Sequence, residues 1–287
     1  MSTTAAEPRY ADEVDGLGDF PIREGLHWKE KKEVRELLTI SRGVMLVYGD
    51  PGGGKDLFGT SFCAREKYFF NRRILLDFLP TRAFDEIDGG GKYVLFNAQV
   101  MMREINKMAK LAGVEGIGQS ADVKERDEFV GEATRKWALE GEGETLLQGA
   151  VLYLSELKRY CYNRLPHNPF NRFIGSINSV WRHLDLLVIG THVLPHEIDK
   201  YTYLSYAKIR AKCSWCVSRP YTSQVTISRG AFAEANNVFM VEGRPLTIYV
   251  DGNEQREWLN GKKFFDLYLT KNKVNLKPVV RKEMIGG

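Results

Sequence analysis

The chain has 287 residues, 43% of them hydrophobic and 27% charged. That length and balance exclude a disulfide-dependent miniprotein, a disordered chain and a fibrous repeat, and leave a globular chain able to bury its own core. The formal charge of +4 permits a nucleic-acid partner without requiring one.

Residues 1–26 mix Gly, Pro and acids without periodicity and read as an arm. Their polar, acidic character excludes a secretory signal. A charged helix is predicted over 28–38. The apolar run 44–48, rich in β-formers, predicts a buried strand that ends at Gly49. A glycine-rich loop follows, then a helix over 57–70. Further strands are predicted at 74–78 and, after the turn at Gly89, Gly90 and Gly91, at 93–96. Residues 99–150 are strongly charged and helical in pattern, and read as a helical insertion or lid.

The next strand covers Val151–Leu154 and runs into Ser155 and Glu156; a helix follows. Residues 184–190 form another buried strand, ending at Thr191 and His192, and 212–217 form one more. Strands alternating with helices predict parallel βαβ units. After Pro220 the pattern changes to short antiparallel strands at 224–228, 238–241, 246–250 and 264–268. Seven Lys/Arg and a single acid, Asp266, fall between Lys262 and Lys282, the signature of a solvated or phosphate-contacting tail.

The fold class expected is α/β, with a mainly parallel central sheet flanked by helices, a helical insertion and a short β-rich C-terminal extension. The expected domains are an N-terminal arm and helix (1–42), a core (43–220) and the extension with its basic tail (221–287). No apolar run approaches the roughly 20 residues that span a bilayer. The four cysteines are sparse, which predicts reduced thiols and a cytoplasmic location. Cys213 and Cys216, three apart on a strand, would point to opposite faces and so would not share a metal.

Gly49, Asp50, Pro51, Gly52, Gly53, Gly54, Lys55 and Asp56 fit GxxxxGK, with Asp where Ser or Thr is usual. Glycines let backbone N–H groups turn inward around phosphate oxygens, and the helix that follows aims its positive end at the same anion. Lys55 supplies a point charge, and Leu57 continues the nucleotide-binding run. The context of buried strand before and helix after makes this an ATP-phosphate loop.

Asp56 is the anomaly, because a carboxylate this close to phosphates is repelled by about 4 kcal/mol at 4 Å and an effective dielectric near 20. A bound Mg²⁺ reverses that sign. The run through Ser155 and Glu156 has the form of a Walker B strand, whose usual ending is Asp-Glu. The two departures are reciprocal, and predict an exchanged Mg²⁺ shell of Asp56 and Ser155, with Glu156 as the catalytic carboxylate. Thr191 and His192, at the tip of the neighbouring strand, are placed to sense the γ-phosphate.

The order of these parts, with the Arg182-His183 pair and the closing phrase at 264–270, resembles the HerA/FtsK-type P-loop (ASCE) ATPases, including viral genome-packaging ATPases and Zot-like phage ATPases. The resemblance implies an ATP- and Mg²⁺-dependent motor that translocates DNA, binding it through the backbone without sequence preference. It further implies a homo-oligomeric ring with an arginine donated by the neighbour, for which Arg182 is the leading candidate among Arg159, Arg164, Arg172 and Arg182. Portal or capsid vertex proteins would be partners of such a packaging motor, in the host cytoplasm or virion, with no membrane segment. A non-motor P-loop regulator and a small-molecule kinase are the alternatives.

Overall fold

The computed structural model describes residues 43–70, 72–78, 94–115, 122–140, 143, 145–165, 168–216, 222–233 and 238–251. The arm and helix over 1–42, the strand at 264–268 and the basic tail lie outside the described residues. Eight strands form one sheet: β1 (Gly43–Tyr48), β2 (Ile74–Leu76), β3 (Val94–Leu95), β4 (Val151–Leu154), β5 (Leu187–His192), β6 (Ala207–Trp215), β7 (Thr222–Ala233) and β8 (Val238–Asp251). Their order is β3-β2-β4-β5-β1-β6-β7-β8. The six from β3 to β6 run parallel; β7 and β8 are antiparallel.

Helices α1 (Lys55–Phe70), α2 (Ala98–Leu111), α3 (Val123–Glu140), α4 (Pro169–Ser179) and the single turn α5 (Trp181–Leu184) supply the outer layers. Side chains alternate across a strand, so β1 feeds two cores. Met45 and Val47 join Leu57, Phe58 and Phe62 of α1. Val44 and Leu46 join α2, α3 and α4 on the other face. Burial on both faces is why the parallel strands read as continuous apolar runs.

The described residues of 99–150 form two helices packed onto the sheet. Met101, Ile105 and Met108 line one stripe of α2, and Phe129, Val130, Ala133 and Trp137 one stripe of α3, and both stripes are buried in the second core. The abundant charge of the segment occupies the outer faces of these helices. Asn97 starts α2 by accepting a hydrogen bond from the Val100 N–H at 2.9 Å, and Asn168 with Pro169 starts α4 in the same way. The antiparallel strands are longer than expected and continue the same sheet through β6.

All carboxyl ends of β1, β2, β4 and β5 lie at one sheet edge, where open α/β sheets bind ligands. Gly190 in β5 shows how tightly this region is packed. A Cβ there would lie 2.6 Å from the Tyr203 hydroxyl and 2.8 Å from Leu157 Cδ2. Tyr203 cannot retreat without losing its 2.6 Å hydrogen bond to the Met45 carbonyl, which is buried. Gly190→Ala should therefore cost about 1–3 kcal/mol in urea unfolding with the slope unchanged. Gly131→Ala on α3, where the nearest atom is Ser176 Oγ at 3.7 Å, should be neutral or stabilise by up to about 1 kcal/mol.

Candidate nucleotide-binding site

The loop between β1 and α1 is shaped by what lies behind it. Gly49 has φ +142°, and a Cβ there would fall 2.0 Å from the Cys213 carbonyl oxygen on β6. Gly54, at φ +85°, would place a Cβ 2.5 Å from Ser223 Cβ on β7. Glycine is required at both for backbone shape and for space. Ser223 pins the loop by donating its hydroxyl hydrogen to the Gly53 carbonyl at 2.8 Å. Lys55 Nζ donates to the carbonyls of Gly49 and Asp50 at 2.9 and 2.7 Å, which holds the ammonium over the loop mouth. Asp50, Pro51 and Gly52 form the exposed tip, and Leu57 is buried as the anchor of α1.

Asp56 stands in the first turn of α1 and engages two neighbouring strands. The Tyr153 hydroxyl of β4 donates to its Oδ1 at 3.1 Å, and the Thr191 hydroxyl of β5 approaches the same oxygen at 3.5 Å. Thr191 also accepts from the Glu156 backbone N–H at 3.2 Å. One hydroxyl thus ties β5 both to α1 and to the residues that follow β4. Glu156 itself is left-handed, φ 54° and ψ 65°, a conformation costing a non-glycine residue about 1 kcal/mol or more. That twist brings its carboxylate to the surface of the edge, 3.4 Å from Arg159 Nε.

Ser155 is placed differently from the expected pairing with Asp56. It is buried, its backbone N–H donates to Asp77 Oδ1 at 2.9 Å, and its Oγ has no hydrogen-bond partner. An orphaned hydroxyl and the Asp56 carboxylate are both hard oxygen donors, the type Mg²⁺ takes. The pair therefore fits the metal by chemistry. Among the described residues no cluster of three or more His, Cys, Asp or Glu offers a self-sufficient metal site.

Two partners were not singled out from the sequence. Asp77, one residue past β2, accepts from Ser155 N–H and from the Tyr160 hydroxyl at 3.0 Å. Burial pushes its carboxyl up to about 7, against the opposing pull of those hydrogen bonds and of Arg159. A carboxylate closing the apolar run 74–78 was the available signal. Glu197 is the second: its Oε2 lies 2.9 Å from His192 Nε2, and its Oε1 accepts from Lys158 Nζ at 2.9 Å. Lys158 first, then His192, hold its carboxyl below the usual range. His192 is thereby oriented at the tip of β5.

Arg182 is not brought to this edge. It is exposed on α5 with its guanidinium 5.1 Å from the Trp181 ring, and lines a cavity of about 320 Å³ with Gly43, Leu187, Lys208 and Arg229. Gly43 and Leu187 begin their strands, so the cavity sits at the opposite edge, about 20 Å from the loop along the six residues of β1. Arg182 therefore does not reach the phosphate loop of its own chain, whereas Arg159 lies beside Glu156. Arg164 and Arg172 are exposed around the start of α4.

A GxxxxGK loop joining a buried strand to a helix, with β6-β1-β5-β4-β2 order around it, is the P-loop NTPase fold. No protein family matches the sequence, and no curated protein does. Among solved structures the chain is similar to the N-terminal domain of zonular occludens toxin from Neisseria meningitidis, at 10% identity over 79% of this chain and 99% of that one, TM-score 0.42. It is also similar to the genome packaging NTPase B204 from Sulfolobus turreted icosahedral virus 2 in complex with AMP, at 11% identity over 72% and 99% of the two chains, TM-score 0.35. A third is the pCW3 conjugation coupling protein TcpA with ATPγS, at 11% identity over 77% of this chain and 64% of that one, TM-score 0.42.

The raised Asp77 carboxyl has a pH consequence. The folded protein holds this proton more tightly than the unfolded chain, so its stabilising effect is full below the ordinary carboxylate range and is lost as pH rises through about 7. The thermal unfolding midpoint of the wild type should therefore fall between pH 4 and 8 more steeply than that of Asp77→Asn. Parallel profiles for the two proteins would refute the assignment.

Proposed function

We propose that this chain is an ATP-hydrolysing motor that translocates DNA, acting as a ring, in the manner of a viral genome-packaging ATPase. The observation that carries the reading is the joint presentation, at one sheet edge, of the phosphate loop with Lys55 and of Glu156 held in a strained backbone conformation beside it. Gly49 to Leu57 bind the nucleotide, and Lys55 neutralises phosphate charge. Glu156 accepts the proton of the attacking water, while Thr191 and His192, the latter braced by Glu197, report on the γ-phosphate. Mg²⁺, held by Asp56 and Ser155, would supply charge neutralisation between the phosphate oxygens.

The motor reading rests on motif order and strand order together. Arginine supplied by a neighbouring copy, with Arg182 as candidate, completes the ring proposal. Genome packaging further brings portal or capsid vertex proteins as partners and a cytoplasmic or virion-associated setting. Among the described residues no helix is long and apolar enough to cross a membrane. A small-molecule kinase is disfavoured by the packing of α2 and α3 into the second core, which ties down the described helices of residues 99–150.

Glu156→Gln should lower the hydrolysis rate by about 10²–10⁴-fold and leave ATP-analogue binding intact; a loss of binding instead would make Glu156 structural. The metal proposal is tested by a cycle of Asp56→Ser, Ser155→Asp and the double change. The double variant should exceed the product of the single rates, and strict multiplicativity would reject the shared shell. Duplex DNA should stimulate hydrolysis by the wild type, and no stimulation at any salt concentration would reject the motor.

A further inference from the structure

The sheet half formed by β6, β7 and β8 has two unlike faces. The odd positions of β6, Ile209, Ala211 and Cys213, pack under α1 in the first core. The even positions point the other way and read Lys208, Arg210, Lys212. On β7 the same face continues through Ser228 and Thr226, opposite Arg210 and Lys212. On β8 it continues through Thr247, opposite Thr226. No carboxylate occupies any of these positions, although the whole chain carries 37 acids against 41 bases. An ordinary solvated face intersperses both signs.

Arg210 gives the face its distinctive chemistry. Its guanidinium lies 4.0 Å from the Phe239 ring and 5.6 Å from Phe232. Nε and Nη2 are buried with no hydrogen-bond partner. Burial lowers its affinity for its proton only to about 10, so the group stays charged at neutral pH. Stacked rings fix the cation in place and, unlike a carboxylate, leave its charge uncompensated. Lys208 and Lys212 are exposed and make no ion pair with a described residue. Successive cations are about 6.6–6.8 Å apart along the strand, each two residues from the next. The row ends at the cavity where Lys208 meets Arg182 and Arg229, with Glu242 as the one acid in its lining.

We propose that this face is where the protein grips nucleic acid: the exposed Lys208 and Lys212 contact phosphates of one DNA strand, the ring-held Arg210 adds its fixed positive charge between them, and the Thr and Ser hydroxyls of β7 and β8 are auxiliary donors. The proposal rests on the DNA-motor reading and adds to it the surface used. It predicts binding through the phosphate backbone, which carries no sequence information, with the steep salt dependence of such contacts.

The test measures the affinity of the full-length protein for a labelled duplex across a salt series. The slope of log affinity against log salt falls by about 0.9 for each phosphate that is no longer neutralised. The triple variant Lys208→Gln, Arg210→Gln, Lys212→Gln should be shallower than wild type by about 2–3. The double variant Lys208→Gln, Lys212→Gln, which leaves the stacked Arg210 untouched and so guards against misfolding, should be shallower by about 2. Removing the same charge from the helical layer, with Lys107→Gln, Lys110→Gln and Lys124→Gln, should leave the slope unchanged. Wild type that binds no duplex at any salt would reject the motor reading itself. Binding by wild type with equal slopes for all variants would overturn this face alone. A sheet-face variant that no longer self-associates while keeping its slope would overturn it too, and assign the face to contact between copies.

Discussion

The site depends on one close approach of backbone to backbone. The phosphate loop lies so near the Cys213 carbonyl at the end of β6 that a Cβ at Gly49 or Gly53 would meet its oxygen at 2.0 or 2.8 Å. No side chain fits between, and the loop takes its curvature from the strand behind it. Ser223 completes the seat from β7. The antiparallel strands are thus part of the nucleotide site and not an appendage to it. What holds the loop on one side also frees it on the other, where Asp56 reaches the strands that carry Glu156 and Thr191.

Those contacts join three elements far apart in sequence. The Thr191 hydroxyl meets the Glu156 backbone and approaches the Asp56 carboxylate, so β5, the Walker B strand and the loop helix share one polar node. Tyr153 adds a second tie from β4 to Asp56.

The phosphate loop, the parallel order and the carboxyl-edge location of Glu156, Thr191 and His192 were legible from residue pattern. Buried parallel strands leave unbroken apolar runs, and a GxxxxGK loop is constrained at nearly every position. Less legible was whatever depended on a partner remote in sequence. Asp77 finds Ser155 and Tyr160 only when β2 lies beside β4. Glu197 finds His192 only through the turn after β5. In residues 99–150 the helical pattern was legible, but surface charge conceals the apolar stripe of three or four residues per helix that packs on the sheet. Nor could residue pattern show that the Tyr153 hydroxyl engages Asp56 while the Ser155 backbone engages Asp77.

Burial separates the four thiols into two chemical kinds. Cys63, Cys161 and Cys213 lie within the cores, and desolvation makes their thiolates inaccessible, with Cys213 pushed up to about 12. Cys216 alone is partly exposed. It adjoins Trp215, whose indole nitrogen lies 3.4 Å from where a Gly52 side chain would begin. A maleimide dye offered to the native protein would thus mark the rim of the phosphate loop without any engineered residue.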